Sequence, residues 1–338
     1  MFILRSACLD DLNDLLELAS KVKFINLPHD ESLIRKKLLN SKKSFERPSS
    51  ELEDNYYFFV LEDLNAQKVI GVSMIHAQHG TEREPHFFLK VSSEHKFSQT
   101  INTGFVHGTL KLGLNTDGPT EIGGLVLSPD YRGNPKKLGK QISFVRFLYM
   151  SMYPERFREE IHSELMPPLD KDGNSHLWEA IGRRFMNMDY QEADKLSRSN
   201  KEFILSLYPS ENIYMTLLPY EARDAIGKVG RDTEPVRSML ESIGFQFINE
   251  VDPFDGGPHY RCKLVDIKPI KKHFKAEVAK GASDSSSENY LLSIKHEEHP
   301  FYAFLCEATL QDGKVLLDSE YLSRLGIEVG SEVVGIPF

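Results

Sequence analysis

Glu121-Ile122-Gly123-Gly124-Leu125-Val126-Leu127-Ser128-Pro129-Asp130, continued by Arg132-Gly133-Asn134-Pro135-Lys136-Lys137-Leu138-Gly139-Lys140, is the stretch whose reading decides the fold. Its first seven residues form an apolar, β-prone run. Pro129 has no N–H to give to a ladder, so the strand is expected to stop there. From Leu138 to about Tyr153, Ile142, Val145, Phe147, Leu148 and Met152 give a broad apolar helical surface. The connecting loop holds two glycines and the cations Arg132, Lys136, Lys137 and Lys140. Glycine lets backbone approach a ligand closely, and the N–H groups that open a helix attract anions. Taken alone, the loop is equally a solvated basic cap on a helix. Set between a strand and a helix, it is expected to cradle phosphate.

Further elements are legible on either side. Phe2-Ile3-Leu4 reads as a strand, and Leu12, Leu15, Leu16 and Ala19 follow at helical spacing. Tyr56–Leu61 and Val69–Ile75, separated by the turn-rich Asp63-Leu64-Asn65, read as an antiparallel hairpin. Glu160–Met166 reads as a further strand. A helix from Pro235 to Ile243 is closed by Gly244 and leads into the strand Phe245–Ile248. The segment from about Pro167 to Asp232 is too long for a simple loop and reads as a helical insertion.

Asp252-Pro253-Phe254-Asp255-Gly256-Gly257-Pro258-His259 carries punctuation that no regular element tolerates. By spacing it is a tight hairpin turn, with His259 a polar group at the turn. Lys268–Ser287, rich in Lys, Ala, Gly and Ser, reads as a flexible connection to a small β-rich appendage. The expected domains are therefore 1–266, with an insertion at about 167–232, and 267–338.

Composition bounds the function. The 338 residues are 40% hydrophobic and 27% charged, as in ordinary globular proteins, and the net charge is −9. That balance argues against nucleic acid or an anionic membrane surface as partner. No run approaches the roughly 20 apolar residues of a membrane span, and the acidic start does not fit a signal peptide. Cys8, Cys262 and Cys306 are isolated, so they indicate neither a disulfide framework nor a zinc site. A cytoplasmic location and no bound metal are expected.

The order strand, helix, hairpin, strand, basic glycine-containing loop and helix resembles the GNAT acyl-CoA transferase fold, an α/β (α+β) class. Within it the chain resembles the arginine N-succinyltransferase family over roughly residues 1 to 265. The matching residues are Leu27-Pro28, Val60-Leu61-Glu62-Asp63, Leu125-x-Leu127-x-Pro129, Glu164, Trp178-x-x-x-Gly182, Arg184-Phe185-x-x-Met188-Asp189, Ile226-Gly227 and Phe254-Asp255-Gly256-Gly257-Pro258. The resemblance implies transfer of a succinyl group from succinyl-CoA, as co-substrate, to the α-amino group of L-arginine. It implies that Leu125, Leu127, Arg132, Gly133, Lys136, Lys137, Gly139 and Lys140 serve the cofactor.

The chain departs from that family at two places. The family's proton-donating histidine falls at Gly230, and its glycine-rich N-terminal loop is here Phe24-Ile25-Asn26-Leu27-Pro28. Another acyl donor or amine acceptor, or a catalytically quiet subunit of a heteromeric enzyme, therefore stays open.

The chemistry needs few groups. Attack of an amine on a thioester needs a backbone N–H for the oxyanion and an acceptor for the ammonium proton. A guanidinium substrate calls for carboxylates. Glu164 and His259 are the candidate catalytic residues, and Asp255 the candidate substrate-binding residue. Leu177, Trp178, Ile181, Phe185 and Met188 form an apolar stripe in the insertion, from which a homodimer or a heteromer with a related subunit is expected. Trp178, the only tryptophan, is expected to be a packing anchor there.

Overall fold

A computed structural model describes residues 1–21, 27–197, 200–281 and 286–338. The departure noted at Phe24-Ile25-Asn26 lies outside the described residues, as does Ser285. Along the chain the first elements are β1 (Phe2–Ser6), α1 (Leu12–Lys21), α2 (Glu31–Glu46), β2 (Tyr56–Asp63) and β3 (Lys68–His76). They are followed by β4 (His86–Ser98), β5 (Thr103–Asn115), β6 (Thr120–Leu127), α3 (Leu138–Met152) and β7 (Glu160–Glu164). Then come β8 (Ile213–Tyr214), β9 (Gln246–Val251) and β10 (Pro258–Lys263), and the C-terminal strands β11 (Phe274–Lys280) and β12 (Glu288–Ile294). The last strands are β13 (Tyr302–Gln311), β14 (Lys314–Leu317) and β15 (Glu332–Pro337). This is the mixed α/β class expected from the order of elements.

The chain divides into two compact units, one of residues 1–78, 120–161 and 263–338, the other of 79–119 and 162–262. The division does not follow the boundary expected at residue 266. The C-terminal strands are β-rich as anticipated, but β13 pairs antiparallel with β1, Phe304 opposite Ile3, so they share a sheet with the N-terminal strand. They also close on themselves, since β12 pairs with both β13 and β15, and β11 with β14 and β15. The expected flexible connection at 268–287 is largely ordered, with a short helix at Lys268–Lys271 and all of β11.

In the first unit β1, β2, β3 and β6 run antiparallel in that order. Helices α1 and α2 cover one side through Leu15, Leu18, Ile34 and Leu38, which bury against Phe58, Val60 and Val72. Asp30 starts α2 by accepting the Leu33 amide on its side chain. At the root of the sheet Arg5 is buried between Asp11 and Glu62, at 2.7 Å from each.

The second unit is built on the long antiparallel hairpin β4–β5, in register from His86–Asn115 to Ser98–Thr103. Strand β9 pairs with β4, and β10 returns along β9. The segment 167–232 holds the short helices His176–Ala180, Gly182–Met186, Tyr190–Ser197, Glu202–Leu207 and Tyr220–Ala225. Their apolar faces bury against Phe87, Leu89, Leu110 and Val251. Trp178 is the anchor expected: its ring stacks on Phe254 at 5.0 Å and its Nε1 donates to the Met188 carbonyl. A Cβ on Gly182 would lie 2.3 Å from that ring, which accounts for glycine four residues after the tryptophan.

The apolar stripe is mostly hidden in this unit's own core. Leu177, Trp178 and Ile181 are buried, Met188 packs against them, and Phe185 is the member left exposed. The stripe therefore gives no ground for a partner. Among the described residues no helix is long and apolar enough to cross a membrane.

Candidate active site

In the first unit β6 ends at Leu127, followed by a 3₁₀ turn at Pro129–Tyr131 and by the basic loop. Val126 faces Val72 while Gly123 faces Met74, so β6 carries one residue more than β3 over this interval. Such a bulge takes one residue's backbone groups out of the ladder and makes them available to a ligand. Gly124 supplies the positive φ of 59° there. Ile122, Gly124 and Val126 are buried, whereas Leu125 and Leu127 share the half-exposed face. Leu125 is thus not the fully enclosed core leucine that its type alone would suggest.

Arg132, Gly133, Lys136 and Lys137 are exposed, and Gly139 and Lys140 half-exposed, ahead of and within the first turn of α3. Lys137 caps the helix in the left-handed region, and no side chain occupies the N-terminal amides as a cap. The Lys140 ammonium lies over the rings of Phe144 and Phe338, at 4.6 and 4.3 Å from their centroids. Burial, with the neighbouring Lys137 adding to it, lowers the Lys140 pKa. A bound phosphate would relieve both effects.

In the second unit the structure brings Glu164, His259, Asp255 and the Gly230 segment to one region, as follows. Gly230 donates its amide to the Met166 carbonyl, and Leu165 donates to Pro258. The turn Phe254–Pro258 packs so closely that a Cβ on Gly257 would lie 2.3 Å from the Leu165 carbonyl oxygen. His259 is not a surface turn residue: it is the second residue of β10 and fully buried.

Two histidines not singled out in the sequence join it. His162 lies on β7 two residues before Glu164, hence on the same strand face. His86 opens β4. Glu164 Oε1 is 3.5 Å from His86 Nδ1, 3.6 Å from His162 Nε2 and 3.9 Å from His259 Nε2. The histidine side chains are 2%, 0% and 0% exposed, while Glu164 retains 31%. Burial lowers the His259 pKa to about 3 despite the nearby Glu164, and burial together with His79 lowers that of His86. Burial works against the Glu164 carboxylate, yet His162, His259 and His86 hold its pKa well below the usual range. One oxygen-bearing and three nitrogen-bearing side chains can therefore present lone pairs to one small volume, and this donor set could hold a cation.

Asp255 Oδ1 accepts the Gly257 amide at 2.7 Å, and Tyr190 donates to Oδ2 at 3.5 Å. Asp252 Oδ1 accepts from the amides of Phe254 and Asp255. Burial pushes Asp255 up to about 7, with Glu164 and Asp194 adding to it. Burial and the Asp255 charge raise Asp252 as well. A cation placed beside these two partly buried carboxyl groups would favour the ionised form that their surroundings disfavour.

Residues 2–269 match the family model described as "Arginine N-succinyltransferase beta subunit". The chain is 31% identical over 340 residues to an arginine N-succinyltransferase of Escherichia coli, covering 98% of this chain and 96% of that protein. It is 32% identical over 333 residues to the Yersinia pseudotuberculosis protein of the same name, covering 96% and 94%. Among solved structures it is similar to arginine/ornithine succinyltransferase subunit AI of Pseudomonas aeruginosa. That match has a TM-score of 0.84 and 28% identity over 100% of this chain and 98% of that one. With matches running through both the basic loop and the Glu164 region, the chain is an acyltransferase that belongs to the arginine N-succinyltransferase family.

Proposed function

We propose that the protein transfers a succinyl group from succinyl-CoA to the α-amino group of L-arginine, giving N2-succinylarginine and CoA, in the cytoplasm. The observation that carries this reading is the grouping of Glu164, His259, Asp255 and the Gly230 segment within one unit. The guanidinium is assigned to Asp255, where its positive charge would favour the ionised form of that partly buried carboxyl group. Glu164 and His259 are unprotonated at neutral pH, so their lone pairs can receive the substrate ammonium and pass its proton on through water. The freed amine attacks the thioester carbonyl, the C–N bond forms, and the C–S bond breaks to release CoA. Taken by itself, the first unit offers the backbone at the β6 bulge to a thioester oxygen and Arg132, Lys136, Lys137 and Lys140 to the phosphates of CoA.

The test is thiol release by the purified chain with succinyl-CoA or acetyl-CoA and a panel of basic amino acids. Release with succinyl-CoA and L-arginine is expected. CoA binding without release for any basic amino acid would favour the quiet-subunit reading. A homodimer or heteromer also belongs to this proposal. Its support is the exposed apolar tip of the β4–β5 hairpin, Phe97, Ile101, Phe105 and Val106, and light scattering checks it.

A further inference from the structure

We propose that His86, His162, His259 and Glu164 form a binding site for one divalent transition-metal ion of the zinc class. The argument starts from what these contacts are not. Separations of 3.5, 3.6 and 3.9 Å from Glu164 Oε1 are too long for good hydrogen bonds. The three imidazoles are 2%, 0% and 0% exposed, so a nitrogen left unmet there has no bulk water to turn to. Of the nitrogens facing the carboxylate, Nε2 of His162 and Nε2 of His259 have no hydrogen-bond partner. Buried polar atoms are nearly always satisfied, so two such nitrogens turned towards one carboxylate require an explanation.

A metal ion supplies it. Zinc bonds of about 2.0–2.1 Å to nitrogen and oxygen, at tetrahedral angles, place neighbouring ligand atoms about 3.3 Å apart. The observed separations lie just above that edge, and all four ligand atoms fall within 4.8 Å of one another. Binding would need no separation to contract by more than about 1.5 Å.

Chemistry selects the class of ion. Three imidazoles and one carboxylate suit zinc, copper, nickel or iron and not magnesium or calcium, which prefer oxygen cages. The one carboxylate of the set puts a negative charge beside the dication. Glu164, being 31% exposed, provides the way in from solvent. The ligands come from β4, β7 and β10, so rigid strands and not a loop set the geometry.

This site uses the residues to which the substrate ammonium is assigned above, so ion and ammonium would exclude each other. The proposal does not depend on which acyl group or amine is used, and its test makes no use of turnover. The untagged full chain is stripped with a chelator, then titrated with Zn²⁺ by calorimetry and with Co²⁺ by visible absorption. One ion per chain and the intense d–d bands of tetrahedral Co²⁺ are expected. His162→Gln and His259→Gln, with folding checked by circular dichroism, should weaken binding by at least roughly tenfold. His95→Gln, at an exposed histidine on β4, should leave it unchanged. If a glutamine variant fails to fold, a zinc-dependent rise in wild-type Tm together with the tetrahedral Co²⁺ spectrum decides in favour. No stoichiometric ion in the wild type, an octahedral Co²⁺ spectrum, or equal affinity in folded variants would overturn the assignment.

Discussion

The amide of Gly230 donates to the carbonyl of Met166 at 2.8 Å, two residues beyond Glu164. That contact holds residue 230 against the Met166–Pro167 backbone and explains why glycine stands there. A Cβ on residue 230 would approach the Pro167 carbonyl oxygen to 2.9 Å. Backbone, unlike the far end of a side chain, cannot turn aside. Gly230→Ala is expected to cost about 1–3 kcal/mol by overpacking, read from urea unfolding. Gly230→His should cost at least as much and should not raise turnover. A stable, faster Gly230→His protein would show that this backbone yields easily.

The basic loop gives a prediction at equilibrium. Lys136 and Lys137 are exposed, so replacing both by Ala should spare the fold and weaken CoA binding in calorimetry, more at low salt than at high. Lys140→Ala is a different case. Its ammonium lies over Phe144 and Phe338, so that variant should also lower Tm. An unchanged Kd for CoA in the double variant would remove the loop from the cofactor site.

How much of this was legible in the sequence depends on range. The strand–loop–helix at 120–152 and the hairpin at 56–76 were readable because neighbouring residues carry their periodicity. Helix α2 was not, since its buried stripe of Ile34, Leu38 and Phe45 is narrow, the rest is mostly polar, and Leu33 and Leu39 lie exposed off the stripe. The hairpin β4–β5 escaped for a similar reason: beyond Val91 both faces of β4 are largely exposed, which erases the alternation. Glu164 and His259 were found singly. That they meet His162 and His86 could not be seen, because pairing β7, β10 and β4 brings together residues up to 173 positions apart (259 − 86). His162-x-Glu164 was the one local signal, two ligand-type residues on one strand face. The isolated cysteines carried no such signal, since none has a second ligand-type residue beside it on a strand face.

Asp255 makes stability depend on pH in a defined direction. Its folded pKa, pushed up to about 7, exceeds the 3.8 of an unperturbed aspartate, so between those values the native state binds more protons than the unfolded chain. Stability should therefore fall as pH rises through that window. Asp255→Asn removes this contribution and should flatten the slope, leaving the variant relatively more stable at about pH 8 than at about pH 5. If Asp255 receives the guanidinium, the same variant should raise KM for L-arginine and leave Kd for CoA unaltered. A variant with the wild-type pH slope and wild-type KM would deny Asp255 both roles.

The final prediction concerns Glu164 and His259, 3.9 Å apart and both unprotonated near neutral pH. Proton transfer to a positioned group is typically worth about 10²–10⁴-fold, and a group whose pKa lies far below the working pH sits at the low end of that range. Glu164→Gln keeps the shape of the side chain and removes its charge, so turnover should fall by roughly tenfold or more while CoA still binds. His259→Gln removes the imidazole lone pairs at a fully buried position, and circular dichroism must show the variant folded before its rate is read. If the two residues act together on one ammonium, the double variant should lose little more than the worse single one. Losses that multiply would mean that the two residues act separately, and wild-type turnover in both folded variants would mean that the proton leaves by another route.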